Sequence, residues 1–122
     1  MKALRIDHVV IATEDPEGAT STFRGHFELA PSGALAGGSP TLAIGGARIA
    51  FVAPAPGTAV ASAFAAGGEG MAVVCLAVAS LGDAASKLRA AGVGFATVDG
   101  GLEIDPAAAH GVRLRLVEHA AR

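Results

Sequence analysis

Apolar residues form a pattern that occurs twice along the chain. Each occurrence begins with a long run rich in Val and Ile, at residues 6–12 and 73–78. Runs of this length and composition predict strands that are buried on both faces. Glycine-separated apolar segments predict shorter strands at residues 29–35, 41–44, 48–52, 95–98, 102–104 and 112–118. The pairs Gly45-Gly46 and Gly100-Gly101 predict hairpin turns.

A helix is predicted after each long strand. In the first, Asp15 is the expected N-cap and Pro16 the first helical residue, since that position needs no N–H donor. In the second, Ser80 and Asp83 have the capping-box spacing, and Gly92 is the expected stop. Ala19, Phe23 and Phe27 form an apolar stripe on the first helix, and the expected buried face of the second is Leu81, Ala84, Ala85 and Leu88.

The two halves of the chain are similar to each other. A shift of 65 positions places residues 6–12 over 71–77 and residues 46–52 over 111–117. One offset shared by several elements indicates a duplicated βαβββ unit. We therefore predict an α+β fold of two tandem βαβββ modules in a single domain, 1–122. The modules are 1–53 and 71–122, and the Pro- and Gly-containing linker is 54–70.

The composition excludes several classes of protein. The 122 residues contain 9 Lys and Arg against 11 Asp and Glu, a net charge of −2, which offers no basic surface for nucleic acid or an anionic membrane. The one cysteine, Cys75, excludes an internal disulfide and fits a reducing compartment. No stretch predicts a membrane span or a secretory signal. We expect a soluble, cytoplasmic protein.

The order and spacing of these segments resemble the vicinal oxygen chelate superfamily, which includes glyoxalases, bleomycin-resistance proteins, methylmalonyl-CoA epimerases and extradiol dioxygenases. The resemblance is carried by residues 6–12 (IDHVVIA), 15–19 (DPEGA), 27–29 (FEL), 84–93 (AASKLRAAGV), 105–106 (DP) and 110–118 (HGVRLRLVE). It implies a curved mixed β-sheet cup that holds a small ligand, with helices on the outside. The open edge of such a cup favours a homodimer.

The resemblance also implies four metal-ligand positions, on the first and last strand of each module. In this chain they hold His8, Val73, Ala50 and Arg115. Valine and alanine have no donor atom, and arginine would bring a fixed positive charge to the cation. His110 and Glu103 are further donors, but we expect both at or near turns. Because a catalytic divalent ion needs about three protein ligands, we expect no metal cofactor and only His8 retained.

His8 and Cys75 each have two interpretations. His8 is either a hydrogen-bonded interior histidine or the catalytic residue, a base or ligand contact that titrates near neutral pH. Cys75 is either a ligand contact, with a thiolate that His8 would activate, or a small buried apolar residue.

Three arginines are candidate ligand-binding residues. Strand alternation places Arg48, Arg113 and Arg115 opposite the apolar residues of the same strands, and therefore in the cup if the helices cover the apolar faces. Guanidinium groups there suit a carboxylate, phosphate or enolate. The alternative is that they pair with Glu103 or Glu118 on an exposed face of the sheet.

These observations predict a metal-independent small-molecule-binding protein with an anionic ligand. His8 and Arg115 would contact the ligand, with Arg48 and Arg113 in support. The alternative is a glyoxalase- or epimerase-type lyase or isomerase that abstracts a proton beside a carbonyl, with a metal or arginine stabilising the enolate. A third possibility is a structural or partner-binding domain without a pocket.

Overall fold

The computed structural model of the protein describes residues 1–35 and 37–119, and in that part it contains eight strands, three α-helices and one 3-10 turn. The strands are β1 (Ala3–Ala12), β2 (Ala30–Ala34), β3 (Pro40–Ile44), β4 (Ala47–Val52), β5 (Gly70–Val78), β6 (Phe95–Val98), β7 (Gly101–Ile104) and β8 (Leu114–Glu118). The helices are α1 (Pro16–Phe27), α2 (Ala59–Gly67) and α3 (Leu81–Ala90), and the 3-10 turn is Pro106–Ala109. The predicted α+β class and the repeated βαβββ order are confirmed.

The strands are neighbours in the order β2-β3-β4-β1 in the first half of the chain and β5-β8-β7-β6 in the second. Contacts divide the chain into two compact units. The N-terminal unit is His8–Val73, and the C-terminal unit is residues 1–7 with the chain from Val74 onward. The boundaries therefore lie inside β1 and β5. The division into modules 1–53 and 71–122 stays a prediction, and residues 120–122 of the second module lie outside the described part.

The repeat is visible in the strand register. β1 pairs with β4 in parallel, with Val10 opposite Ala50, and β5 pairs with β8 in parallel, with Cys75 opposite Arg115. Both pairs of positions are related by the 65-residue offset. The offset changes in the hairpins, since Thr41 faces Ala50 nine residues later, whereas Glu103 faces Arg115 twelve residues later. The second hairpin is longer by three residues because its connection contains the 3-10 turn.

In the N-terminal unit, α1 begins as the sequence predicts. The Asp15 carboxylate accepts a hydrogen bond from the Gly18 backbone N–H at 3.1 Å, and Pro16 is the first helical residue. Phe23 contacts Phe51 of β4 edge-on, with ring centroids 5.0 Å apart. In the apolar stripe of α1, Ala19 and Phe23 are half-buried, whereas Phe27 is 63% exposed. Phe27 is the last residue of the helix, and its ring contacts that of Phe23.

In the C-terminal unit, α3 covers one face of its strands. The Ser80 hydroxyl accepts from the Asp83 backbone N–H at 3.2 Å, and Gly92 follows the helix with a φ of 73°. The core under the helix consists of Val78, Ala84, Ala85, Leu88, Leu102, Ile104 and Leu116, with Leu81 and Leu114 packed partly buried against it. The predicted apolar face of this helix is confirmed.

These contacts decide which face of the final strands is apolar. Phe51 of β4 lies against α1, and Leu116 of β8 lies in the α3 core. Side chains alternate along a strand. The residues next to Phe51 on β4 and next to Leu116 on β8 therefore point away from the helices. We call this the helix-distal face. It carries Arg48 and Ala50 in the N-terminal unit and Arg113 and Arg115 in the C-terminal unit.

The predicted linker contains a helix. α2 begins at Thr58, whose hydroxyl accepts from the Ala61 backbone N–H at 3.2 Å, and it buries Val60 and Ala63. Of the helices in the described part of the chain, none is long and apolar enough to cross a membrane.

The contact between α1 and β4 predicts different effects for two phenylalanines. Phe51→Ala removes a fully buried ring and should lower the free energy of unfolding by about 3–5 kcal/mol. Phe27→Ala, the matched control, removes an exposed ring and should cost less than about 1 kcal/mol. Urea unfolding followed by far-UV circular dichroism measures both. Equal losses would contradict the packing of α1 on β4 through Phe23.

Candidate functional site

A polar row crosses the helix-distal face of the C-terminal unit. Cys75 of β5, Arg115 of β8 and Glu103 of β7 are register partners on three adjacent strands, so their side chains leave the sheet on the same side. Nη2 of Arg115 donates a hydrogen bond to Oε2 of Glu103 at 2.7 Å. The Cys75 side chain is fully buried. The centre of the row is therefore an arginine–carboxylate ion pair.

The backbone of β7 makes room for the stem of Arg115. A Cβ atom on Gly101 would stand 3.2 Å from Cγ and 3.3 Å from Cδ of Arg115, and 2.5 Å from the backbone oxygen of Leu116. The hydrogen that glycine carries instead allows the aliphatic part of Arg115 to lie close to β7. Glu103, two residues further along the same strand, then receives the guanidinium group.

The ion pair is partly withdrawn from water. The Arg115 and Glu103 side chains are 24% and 25% exposed. Nε of Arg115 is buried and has no hydrogen-bond partner among the described residues. An unsatisfied buried donor of this kind costs about 1–3 kcal/mol. The guanidinium group thus uses one donor on Glu103 and keeps another beside it unsatisfied.

Pairing with an acid was one of the two alternatives for Arg115, and the structure places Glu103 in that role. Glu103 lies in β7, in agreement with the predicted strand 102–104, and this four-residue strand has a turn before it and the 3-10 turn after it. The residue faces Arg115 of β8 directly. The register of β7 against β8 depends on the length of their connection, which the repeat offset does not give. The third arginine, Arg113, lies directly before β8 and is half-buried.

A different set of residues lies on the helix-distal face of the N-terminal unit. His8 of β1 and Arg48 of β4 are register partners, and His8 is buried with 6% of its surface exposed. The adjacent row contains Ala50 and Thr41, whose hydroxyl lies 2.9 Å from that of Ser32. Ala50 corresponds to Arg115 by the 65-residue offset, and Thr41 corresponds to Glu103 because each is the register partner of that residue on the neighbouring strand. At the positions where the C-terminal unit has its ion pair, the N-terminal unit therefore has the methyl group of Ala50 and the hydroxyl group of Thr41.

The metal-ligand positions implied by the resemblance do not have a suitable donor set. Ala50 and Val73 are buried apolar residues, and the guanidinium of Arg115 is held by Glu103. Within residues 1–35 and 37–119, no three His, Cys, Asp or Glu side chains lie together as a metal site requires. One imidazole, that of His8, remains at these positions, and the residues present do not fit a catalytic divalent ion.

The other histidines lie outside both rows. His110 ends the 3-10 turn in a left-handed conformation with a φ of 56°, in agreement with its predicted turn position. His26 lies exposed in the last turn of α1. His119 follows β8, where its Nδ1 accepts from Nε of Arg5 at 3.5 Å. Gly101, Thr41 and Ser32 could not be predicted from the sequence as neighbours of the candidate residues, because their placement depends on strand register.

The comparison with protein families identifies the class of the protein. The family model described as "Glyoxalase-like domain" matches residues 6–118. The chain therefore belongs to the glyoxalase-like domain family, within the vicinal oxygen chelate superfamily that the sequence resembles. A search of curated proteins found no match.

Solved structures share this fold. The hypothetical protein BH1468 of Bacillus halodurans is 21% identical with a TM-score of 0.84, covering 97% of this chain and 96% of its own. Methylmalonyl-CoA epimerase of Mycobacterium tuberculosis is 24% identical with a TM-score of 0.82, covering 98% and 90%. Methylmalonyl-CoA epimerase of Streptomyces coelicolor, in complex with 2-nitronate-propionyl-CoA, is 22% identical with a TM-score of 0.83, covering 98% and 100%. At this identity the likeness establishes the fold.

The donor set predicts how the protein responds to metals. After incubation with zinc, nickel or manganese and dialysis, we expect far less than one equivalent of bound metal, because a single imidazole at the ligand positions binds weakly. His8→Ala should have the same metal content as the unmodified protein. Elemental analysis of both proteins measures this. A stoichiometric metal that is lost with His8 would contradict it.

Proposed function

We propose that the protein binds a small anionic molecule without a divalent metal, and that Arg115 is the principal contact for the negative charge. The observation that carries this proposal is the partly buried guanidinium of Arg115, with Nε buried and unsatisfied among the described residues. A carboxylate, nitronate or enolate oxygen that reaches this donor would satisfy it and gain a charge-assisted hydrogen bond. Arginine suits such planar anions better than lysine does.

The other candidate residues have supporting roles in this proposal. Arg113 adds positive charge on the same side of the C-terminal unit, and Cys75 contributes a small thiol in the row of Arg115. In the N-terminal unit, we propose His8 and Arg48 as a second set of polar ligand contacts, supported by their shared register and by the burial of His8. A buried imidazole beside a guanidinium group on a sheet face is suited to hydrogen-bonding an acceptor.

Two further expectations belong to the proposal. A homodimer is supported by the exposed apolar side chains Leu4 and Ile6 on β1. A cytoplasmic location is supported by the low cysteine content, one residue in the chain.

The proposal predicts that binding of an anionic acyl-CoA depends on Arg115. We choose 2-nitronate-propionyl-CoA as the probe, because the Streptomyces coelicolor epimerase binds it and its nitronate is a planar two-oxygen anion. Arg115→Gln should weaken binding about 10- to 100-fold, since a charged hydrogen bond contributes about 1.5–3 kcal/mol. Arg115→Lys should also bind more weakly. Isothermal titration calorimetry measures the dissociation constants.

Arg24→Gln is the control for the loss of charge. Arg24 lies exposed on α1, so this variant should bind the probe as the unmodified protein does. Equal affinity of Arg115→Gln and the unmodified protein would refute Arg115 as the principal contact.

The second candidate is an epimerase-type isomerase, favoured by the Glu103 carboxylate next to the Arg115 guanidinium. A carboxylate can accept a proton from carbon beside a carbonyl while a cation stabilises the enolate. His8 is the alternative base. This function predicts that methylmalonyl-CoA exchanges its α-proton for deuterium in D2O in the presence of the protein. Mass spectrometry measures the exchange, and binding without exchange would support the non-catalytic function.

A further inference from the structure

Of the two adjacent hydrogen-bond donors of Arg115, Nε and Nη2, only Nη2 has an acceptor among the described residues. Nε and Nη2 of a guanidinium group lie side by side and together bind both oxygens of a planar anion. Here Nη2 donates to Glu103 at 2.7 Å, and Nε has no partner among the described residues. A carboxylate that faces this side of the guanidinium group would accept from both Nε and Nη2. Glu103 accepts from Nη2 alone.

The stem of Arg115 lies against the backbone of β7, whereas the Glu103 carboxylate stands at the end of its side chain. A Cβ atom on Gly101 would be only 3.2 Å from Cγ and 3.3 Å from Cδ of Arg115. Glu103 is a quarter exposed, and within residues 1–35 and 37–119 its side chain accepts a hydrogen bond from Arg115. A rearrangement at the pair therefore costs least if the Glu103 carboxylate turns towards solvent while Arg115 stays in place.

We propose that Glu103 is a resident counterion of Arg115 that an anionic ligand displaces, and that Glu103 thereby determines which ligands the protein accepts. This inference rests on the proposed function, because it requires Arg115 to bind the ligand. A planar two-oxygen anion takes Nε and Nη2 together, whereas Glu103 takes Nη2 alone. Gly101 is a positioning residue, because its lack of a Cβ atom leaves the room in which the Arg115 stem lies against β7.

Charge explains how this arrangement selects ligands. With Glu103 in place, the pair has no net charge, so a ligand with one acceptor gains little by replacing it. A planar anion with two oxygens gains the second hydrogen bond, to Nε, which Glu103 does not make. The protein should therefore prefer carboxylate- or nitronate-bearing ligands to neutral carbonyl compounds of the same size.

The test is the direction of the change in affinity when Glu103 loses its charge. Glu103→Gln keeps the size of the side chain and removes the competing anion, so 2-nitronate-propionyl-CoA should bind about fivefold more tightly, which corresponds to the ~1 kcal/mol of a partly exposed ion pair. Glu118→Gln is the matched control. Glu118 lies three residues from Arg115 on β8 and accepts from the Leu81 backbone N–H, so its loss should leave affinity unchanged.

A second measurement follows the Arg115 donor directly. The 1H–15N signal of Arg115 Nε–H, identified by its absence in Arg115→Gln, should move downfield when the probe is added, because Nε gains an acceptor. Gly101→Ala should weaken binding of the probe at least severalfold, since the added methyl group displaces the Arg115 stem. Its thermal unfolding, measured without ligand, gives the separate cost of the contact with the Leu116 oxygen.

The outcomes separate this inference from the proposed function. Weaker or unchanged binding by Glu103→Gln, together with loss of binding in Arg115→Gln, would overturn the displacement of Glu103 and leave Arg115 as the ligand contact. Unchanged binding by Arg115→Gln would overturn both. Tighter binding by Glu103→Gln, with a shifted Nε–H signal, supports the displacement.

Discussion

Burial of one face of each final strand beneath a helix is the constraint on which the rest of this structure depends. Phe51 lies against α1 through Phe23, and Leu116 lies in the core under α3. Because strand side chains alternate, this burial directs Arg48, Ala50, Arg113 and Arg115 to the opposite face. Within each unit, the packing of the apolar neighbours therefore places the arginines on the helix-distal face.

The duplication places different chemistry at equivalent positions. In the C-terminal unit, the strand pair carries Arg115 and Glu103, whereas the N-terminal unit has Ala50 and Thr41 at the corresponding positions. A duplicated backbone can keep its register while its side chains change, because the ladder hydrogen bonds do not depend on the side chains. In this chain, the C-terminal unit has a charged pair where the N-terminal unit has small groups. The ligand contact that we propose is the arginine of that pair.

Much of the fold could be predicted from the sequence, and only part of the candidate site. The capping residues Asp15 and Ser80 and the buried stripe of α3 were predictable, since caps and helical periodicity are local properties. The exposure of Phe27 was not, because periodicity does not say where the sheet under a helix ends. The pairing of Glu103 with Arg115 required the register of β7 against β8, which depends on the longer connection between these two strands.

The sequence by itself determined the α+β class, the repeated βαβββ order, the alternation that separates arginines from apolar residues, and the apolar residues at two metal-ligand positions. Only the tertiary structure decided that Glu103 holds Arg115, that Gly101 admits the arginine stem, and that Nε is buried among described residues that offer it no acceptor. The physical reason is the range of the interactions. Periodicity and capping depend on residues within a few positions, whereas an ion pair across two strands depends on a register that chain connections and core packing set together.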